Sequence, residues 1–177
     1  MGKKISVALA AFRGERFIAE QVGSIIRQSV TPSEIVICDD SGPDSPVFRA
    51  LRPLLAEYPE LIRYHLNRER LGVDKNFEKA IGLTSGDIIL LADQDDIWAP
   101  EKIRMLAGLI GDNPIGAFCD SELVGEDLSP LGSTHWALRE FRPDDFARYR
   151  AADPLGKLAF FCRRVPAAGH NMGFAAA

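Results

Sequence analysis

What this 177-residue sequence has little of narrows it before any motif is considered. Its three cysteines, Cys38, Cys119 and Cys162, are far apart and form no C-x-x-C pair. Neither a disulfide framework nor a zinc site is therefore expected, and a reducing, cytoplasmic setting is. His65 and His135 show no metal-ligand spacing. No apolar run approaches the roughly 18 residues of a membrane span. The start, MGKKISVALAAF, turns polar at Arg13 and has no small-residue cleavage site. MGKKIS matches a myristoylation pattern, but Ser6 falls inside the first apolar run, so the stretch reads as a charged lead-in to a strand. Basic residues do not dominate: the net charge is -4 and the pI near 5.4. A general nucleic-acid binder would carry a basic patch or stripe. Repeats and low-complexity segments are absent from the sequence as well.

What is present is an alternation of apolar runs and helical periodicities. Ile5 to Ala11 reads as a buried strand, and Phe17, Ile18, Val22, Ile25 and Ile26 recur at helical spacing within residues 15–28. SEIVICDD is a second strand. PVFRALRPLLAEY is a helix interrupted or restarted at Pro53, and LIRYHLN a third strand. A helix over 73–83 leads through the Ser85-Gly86 turn to a fourth strand, 87–92. Pro100 opens a helix that runs through Ile110 and stops near Gly111, and IGAFCDS is the fifth strand. Such regular alternation implies βαβ units, hence an α/β fold with a mostly parallel sheet covered on both faces. The length and the 46% hydrophobic content suffice for one domain with a proper core. After Ser121 the pattern weakens. LVGEDLSPLG looks like a hairpin or loop, Trp136 to Arg150 is charged and aromatic, and LAFFCRRV is apolar again.

In open α/β sheets, ligands bind outside the carboxyl ends of the strands. Three acidic clusters fall at such ends: Asp39-Asp40, Asp93 to Asp96, and Asp120. An Asp can end a strand simply by favouring a turn, yet all three clusters coincide with strand ends. The densest is in LLADQDDIWAPEK, where Asp93, Asp95 and Asp96 follow one apolar strand. Carboxylates crowded together repel one another unless a cation sits among them. A hard divalent ion resolves this, because Mg²⁺ is usually held by one or two protein carboxylates together with substrate phosphates and waters.

Taken together, ISVALAAFRGERFIAEQVGSIIRQS, EIVICDDSGPDS, NRERLGVDKNFEKAI and GDIILLADQDDIWAPEKI resemble family 2 glycosyltransferases in order and spacing. The D-Q-D-D-I-W form is similar to the branch of rhamnosyl- and related transferases of bacterial surface polysaccharides. The resemblance covers residues 4–122 and continues loosely to the end. It implies a GT-A fold and an inverting transfer from a UDP- or dTDP-linked sugar to a saccharide or lipid-linked acceptor in cell-surface polysaccharide synthesis. Nucleic acid is not an expected partner. The implied location is the cytoplasm, with the inner face of the membrane left open.

Carried over position by position, the resemblance places Ala11 and Phe12 in the nucleotide pocket. Asp39, with Asp40 beside it, meets base or ribose, and Lys75 and Asn76 help hold the nucleotide. Asp95 is the first-choice ligand for Mg²⁺ or Mn²⁺, and Asp93 lies toward the ribose or reaches the metal through water. Asp96 either binds sugar hydroxyls or caps the next helix. Trp98 either walls the sugar site or belongs to the core. Asp120 is a donor-side residue, and His170-Asn171 either matches an acceptor-side loop or is a plain turn. The family's general base follows the segment that AAGHNMGFAAA resembles, so it is expected beyond Ala177. Glu122, Glu126, Asp127, Glu140, Asp144, Asp145 and Asp153 precede that segment and do not transfer into the role. The implied division is a nucleotide-sugar-binding core over 1–122 and the incomplete start of an acceptor-side region over 123–177. The alternative is a truncated GT-A fragment that binds donor without turnover. A D-x-D phosphatase or a receiver domain would carry its acids after strand one, where this chain has Ala10-Ala11-Phe12.

Overall fold

The computed structural model describes residues 2–110, 116–153 and 171–176. They form two compact units, 1–117 with 172–177, and 118–171. In the first unit, β1 (Ile5–Ala11), β2 (Glu34–Asp39) and β4 (Ile88–Ala92) are buried at every residue. Successive strand side chains point to opposite faces, so this burial means that both sheet faces are covered. That is why these strands read as unbroken apolar runs. β3 (Ile62–Leu66) completes a parallel set in which β1 pairs with both β2 and β4, and β2 with β3.

The connecting helices are α1 (Ile18–Ile26), α2 (Pro46–Glu57) and α3 (Val73–Gly82), with α4 (Lys102–Ile110) following β4. Ser45 caps α2 by accepting from the Phe48 amide at 3.0 Å, and Pro46 occupies the first turn, where its missing amide costs nothing. The helix continues through Pro53, contrary to the expected interruption. Pro53 and Arg49 are exposed, so the carbonyl that Pro53 cannot serve faces water. α3 packs Phe77, Ala80 and Ile81 on the sheet face formed by Ala8, Cys38, Ile89 and Leu91.

β8 (Met172–Ala175) lies antiparallel beside β4, with Leu90 opposite Gly173, and with β5 (Ala117–Phe118) gives the sheet order β3-β2-β1-β4-β8-β5. This strand was not foreseen, since MGFAA is short and lacks alternation. Its entry depends on Gly173, where a Cβ would stand 2.2 Å from Leu90 Cδ2 and 3.0 Å from the Ile89 carbonyl oxygen. The expected fifth strand shrinks to the two residues of β5 (Ala117–Phe118). Gly116 precedes it at φ +103°, with Gly173 O only 2.6 Å from where its Cβ would be. The compact units thus divide at 117/118, whereas the sequence reading divides function at 122/123, and residues 172–176 return to the first unit. No helix among the described residues is long and apolar enough to cross a membrane.

In the second unit, LVGEDLSPLG forms a hairpin of β6 (Glu122–Val124) and β7 (Pro130–Thr134), followed by α5 (His135–Leu138) and α6 (Pro143–Ala151). Phe118, Trp136, Phe141 and Tyr149 form a chain of tilted and edge-to-face rings 5.3 to 6.3 Å apart. Gly111, the LAFFCRRV segment with Cys162, and His170 lie outside the described residues.

At the amino end of β2, Glu34 is buried and accepts hydrogen bonds from Ser6 Oγ (2.7 Å), Ser85 N (2.5 Å), Ser85 Oγ (2.9 Å) and Arg63 Nη1 (2.6 Å). Burial pushes its carboxyl pKa up, but the bonds from Ser6, Arg63 and Ser85 outweigh burial and hold it down at about 2, against an ordinary 4.5. A depressed folded-state pKa contributes stability above the ordinary value and loses it as pH falls through the folded value. Denaturant unfolding between pH 4.5 and 2 should therefore show a steeper loss in the wild type than in Glu34→Gln. The expected difference is about 2 kcal/mol, discounted because Arg63 is partly exposed and screened.

Candidate functional site

The chain leaves β1 toward β2 on one side of the sheet, while β4 lies on its other side. Connections diverging from adjacent parallel strands leave a crevice at their carboxyl ends, the usual ligand position in open α/β sheets. A cavity of about 250 Å³ lies there. Its lining comes from the end of β1 and the residue after it (Ala10, Ala11, Phe12), from Asp40 after β2, and from the loop before α3 and its first turns (Arg70, Gly72, Val73, Asn76, Phe77). Asp93, Gln94 and Asp95 after β4 complete it.

Of the residues expected from sequence, Ala11, Phe12, Asp40, Asn76, Asp93 and Asp95 are brought together here. Asp39, Lys75, Asp96 and Trp98 are not in the lining. Asp39 is fully buried and its oxygens are already engaged. It accepts from Ser41 N at 2.8 Å and from the hydroxyls of Ser41, Ser45 and Tyr64. Burial and the Asp39 bond hold the Tyr64 hydroxyl far above the usual tyrosine range, so it stays a donor. Lys75 is exposed on α3. Asp96 is six positions before Lys102, too far to cap α4. Trp98 is 3% exposed, its amide bonded to Ser24 Oγ at 3.0 Å and its ring under Lys102 Nζ at 4.6 Å. That is a core position. Asp120, in the second unit, accepts from the Ser121 and Trp136 amides at 2.9 Å each. Asn171, also there, donates to Ser121 Oγ at 2.9 Å.

The two lining clusters are held differently. Asp40 is 5% exposed and accepts from Asn67 Nδ2 (2.5 Å), Leu71 N (3.1 Å) and Gly72 N (2.8 Å), tying the loop before α3 to the end of β2. Asn76 donates through Nδ2 to the carbonyls of Ala11 and Cys38 and accepts from Asn67, which in turn accepts from Lys79 Nζ at 2.6 Å. After β4, by contrast, Asp93 is half-buried and Asp95 exposed at the cavity. Cys38 offers no nucleophile, since burial pushes its thiol up to about 11.

Arg70 and Gln94 line the cavity although the sequence did not single them out. Arg70 lines the cavity with its guanidinium 4.1 Å over the Phe12 ring, within cation–π range. Gln94, the middle residue of D-Q-D, accepts from Phe12 N (2.8 Å) through Oε1 and donates to Phe12 O (3.1 Å) through Nε2. Its side chain thereby pairs with the main chain of β1's exit as a neighbouring strand would. The signal in sequence was a Gln, not a charge, between two acids.

A divalent ion suits this donor set. Asp93 and Asp95 supply hard oxygens at the cavity, and no cluster of three or more His, Cys, Asp or Glu able to hold a metal exists among the described residues. Two carboxylates with substrate phosphates completing the shell is how Mg²⁺-type ions are bound, whereas a structural zinc would need a protein cage.

Residues 6–166 match the sequence model described as Glycosyl transferase family 2. The UDP-Glc:alpha-D-GlcNAc-diphosphoundecaprenol beta-1,3-glucosyltransferase of Escherichia coli is 26% identical over 139 residues, 74% of this chain and 53% of the relative. The dTDP-rhamnosyl transferase of Shigella flexneri is 34% identical over 100 residues, 54% of this chain and 34% of the relative. The chain thus spans about half or less of these relatives. Among solved structures, a mannosyltransferase from Pyrobaculum calidifontis in complex with GDP-Man and Mn²⁺ superposes with a TM-score of 0.64 at 18% identity, covering 99% of this chain and 45% of its own. The fold is therefore the expected GT-A arrangement.

Gly14 makes room for the Gln94 clamp, since a Cβ there would lie 2.1 Å from Gln94 Oε1 and 2.2 Å from its Cδ. Gly14→Ala should displace Gln94 and cost about 1–3 kcal/mol of stability. In a Gln94→Ala background the same change should cost little, a non-additivity that denaturant unfolding of the two single variants and the double variant measures.

Proposed function

The chain belongs to glycosyl transferase family 2, and we propose that it binds a nucleotide-diphospho-sugar, UDP- or dTDP-linked, and takes part in inverting transfer of the sugar to a saccharide or lipid-linked acceptor of polysaccharide synthesis. One observation carries this reading: Asp93 and Asp95 share one cavity with Phe12, Arg70 and Asn76 at the point where the chain diverges from the sheet. The E. coli and S. flexneri relatives, named for UDP-Glc and dTDP-rhamnosyl chemistry, support both the donor class and the two candidate nucleotides. The Mn²⁺ in the P. calidifontis complex supports a divalent ion.

In this reading Asp95 holds Mg²⁺ or Mn²⁺ and Asp93 binds the ribose or the metal through water. When bound, the metal supplies Lewis-acid stabilisation of the diphosphate leaving group. The protein's own groups do the rest. Arg70 and Phe12 form a flat, cationic wall for the nucleotide, and the Asn67–Asn76–Asp40 network fixes that wall in place. The acceptor hydroxyl attacks the anomeric carbon as the bond to the diphosphate breaks, and its proton passes to a general base. No acid among the described residues is assigned that role, and the base is taken to come from outside them. The functional division proposed is a donor-binding core over 1–122 and the beginning of the acceptor side from 123.

Calorimetry with UDP and dTDP, in Mn²⁺ and in excess EDTA, tests the reading. The metal should raise affinity by at least about tenfold, ~1.4 kcal/mol. Asp95→Ala should abolish that gain while leaving the EDTA affinity, and Asp96→Ala should preserve it. Equal affinity with and without metal would refute the metal role.

A further inference from the structure

Helix α1 buries polar side chains where apolar ones would be cheaper. Gln21 is 0%, Ser24 4% and, just past the helix end, Gln28 5% exposed. Spaced i, i+3 and i+7, they lie along one stripe of the helix. Burying such groups is costly unless each is hydrogen-bonded. Each of them is bonded, and to the same target.

Gln21 Nε2 donates to the Asp93 carbonyl at 3.1 Å. Ser24 Oγ accepts from the Trp98 amide at 3.0 Å and is aimed by donating to the Gln21 carbonyl at 2.7 Å. Gln28 Nε2 donates to the Ala99 carbonyl at 2.7 Å, while its Oε1 accepts from the Ile103 amide at 3.0 Å in the first turn of α4. Residues 93–101 have neither strand nor helix of their own to pair their backbone. From Asp93 to Ile103 the backbone is held instead at Asp93, Trp98, Ala99 and Ile103 by α1 and the residue just past its end.

We propose that Gln21, Ser24 and Gln28 are positioning residues for the metal-binding acids, a rail that fixes the main chain from which the carboxylates of Asp93 and Asp95 project. This rests on the functional reading above. Gln94 ties the same loop to Phe12 at the end of β1, so the residue between the two acids has an anchor of its own. A metal ligand must sit within about 0.5 Å of its productive place. Asp95 is exposed, so its place depends on the backbone that carries it.

The test uses the full chain and compares Gln21→Leu, Ser24→Ala and Gln28→Met, the last keeping the length of the side chain while losing the donor to Ala99 and the acceptor for Ile103. Glu34→Gln, at the opposite end of the sheet, is the control for general loss of stability. Two readouts are taken: UDP and dTDP affinity in Mn²⁺ against EDTA, and hydrogen exchange of the amides of 94–103. The metal enhancement, at least about tenfold in the wild type, should fall toward onefold in the rail variants, because removing groups that orient metal ligands typically costs about 10- to 100-fold in metal affinity. Affinity in EDTA should stay near the wild-type value and exchange across 94–103 should quicken, with Glu34→Gln showing neither change. Wild-type metal enhancement in folded rail variants, or an equal loss in Glu34→Gln, would overturn the proposal. Should the wild type itself show no metal enhancement, the functional reading has failed, and the exchange data alone decide whether the rail orders the loop: unchanged exchange would refute that too.

Discussion

The side-chain amide of Asn76 donates to the carbonyls of Ala11 and Cys38, cross-linking the carboxyl ends of β1 and β2. The Ala11 carbonyl also accepts from the Asp40 amide at 2.9 Å, so the helix side chain adds a second donor to a strand end that the backbone already pairs. Because Asn76 also accepts from Asn67, which donates to Asp40, the same bonds fix the loop before α3 and the start of the helix. The cavity wall that carries Phe12, Arg70 and Phe77 depends on this arrangement.

The acid clusters at the strand ends solve different problems. Asp39 and Asp40 are buried and spend their oxygens on internal donors, so they close the end of β2 and seat α2 and α3. Asp93 and Asp95 face the cavity on a loop whose main chain is held by Gln21 and whose intervening side chain, Gln94, bonds to the main chain of Phe12. Rigid backbone with outward carboxylates is what a metal-bridged diphosphate requires. A buried carboxylate with four donors is what a strand end requires.

Glycines decide how closely the elements approach. Gly14 admits Gln94, and Gly173 lets β8 lie against β4. In both places the clash a Cβ would make comes from residues about 80 positions away in sequence, so neither requirement is visible in the local pattern. The same holds for Pro53, whose place inside α2 is tolerated because that face of the helix is exposed.

Periodicity alone determined β1 to β4 and the helices between them, because strands buried on both faces leave apolar runs and helices packed on one face leave a period near 3.6. The order of motifs also determined the family and the density of acids after β4. Only the tertiary structure decided which acids line the cavity. Asp39 and Asp93 look alike in sequence, but one meets Ser41, Ser45 and Tyr64 while the other opens on a cavity. It alone also placed Arg70 on Phe12, inserted β8 beside β4 and turned the polar stripe of α1 toward residues 93–103. Those outcomes depend on pairings between distant segments, and a hydrogen-bond partner on another element leaves no periodic trace in the chain that needs it.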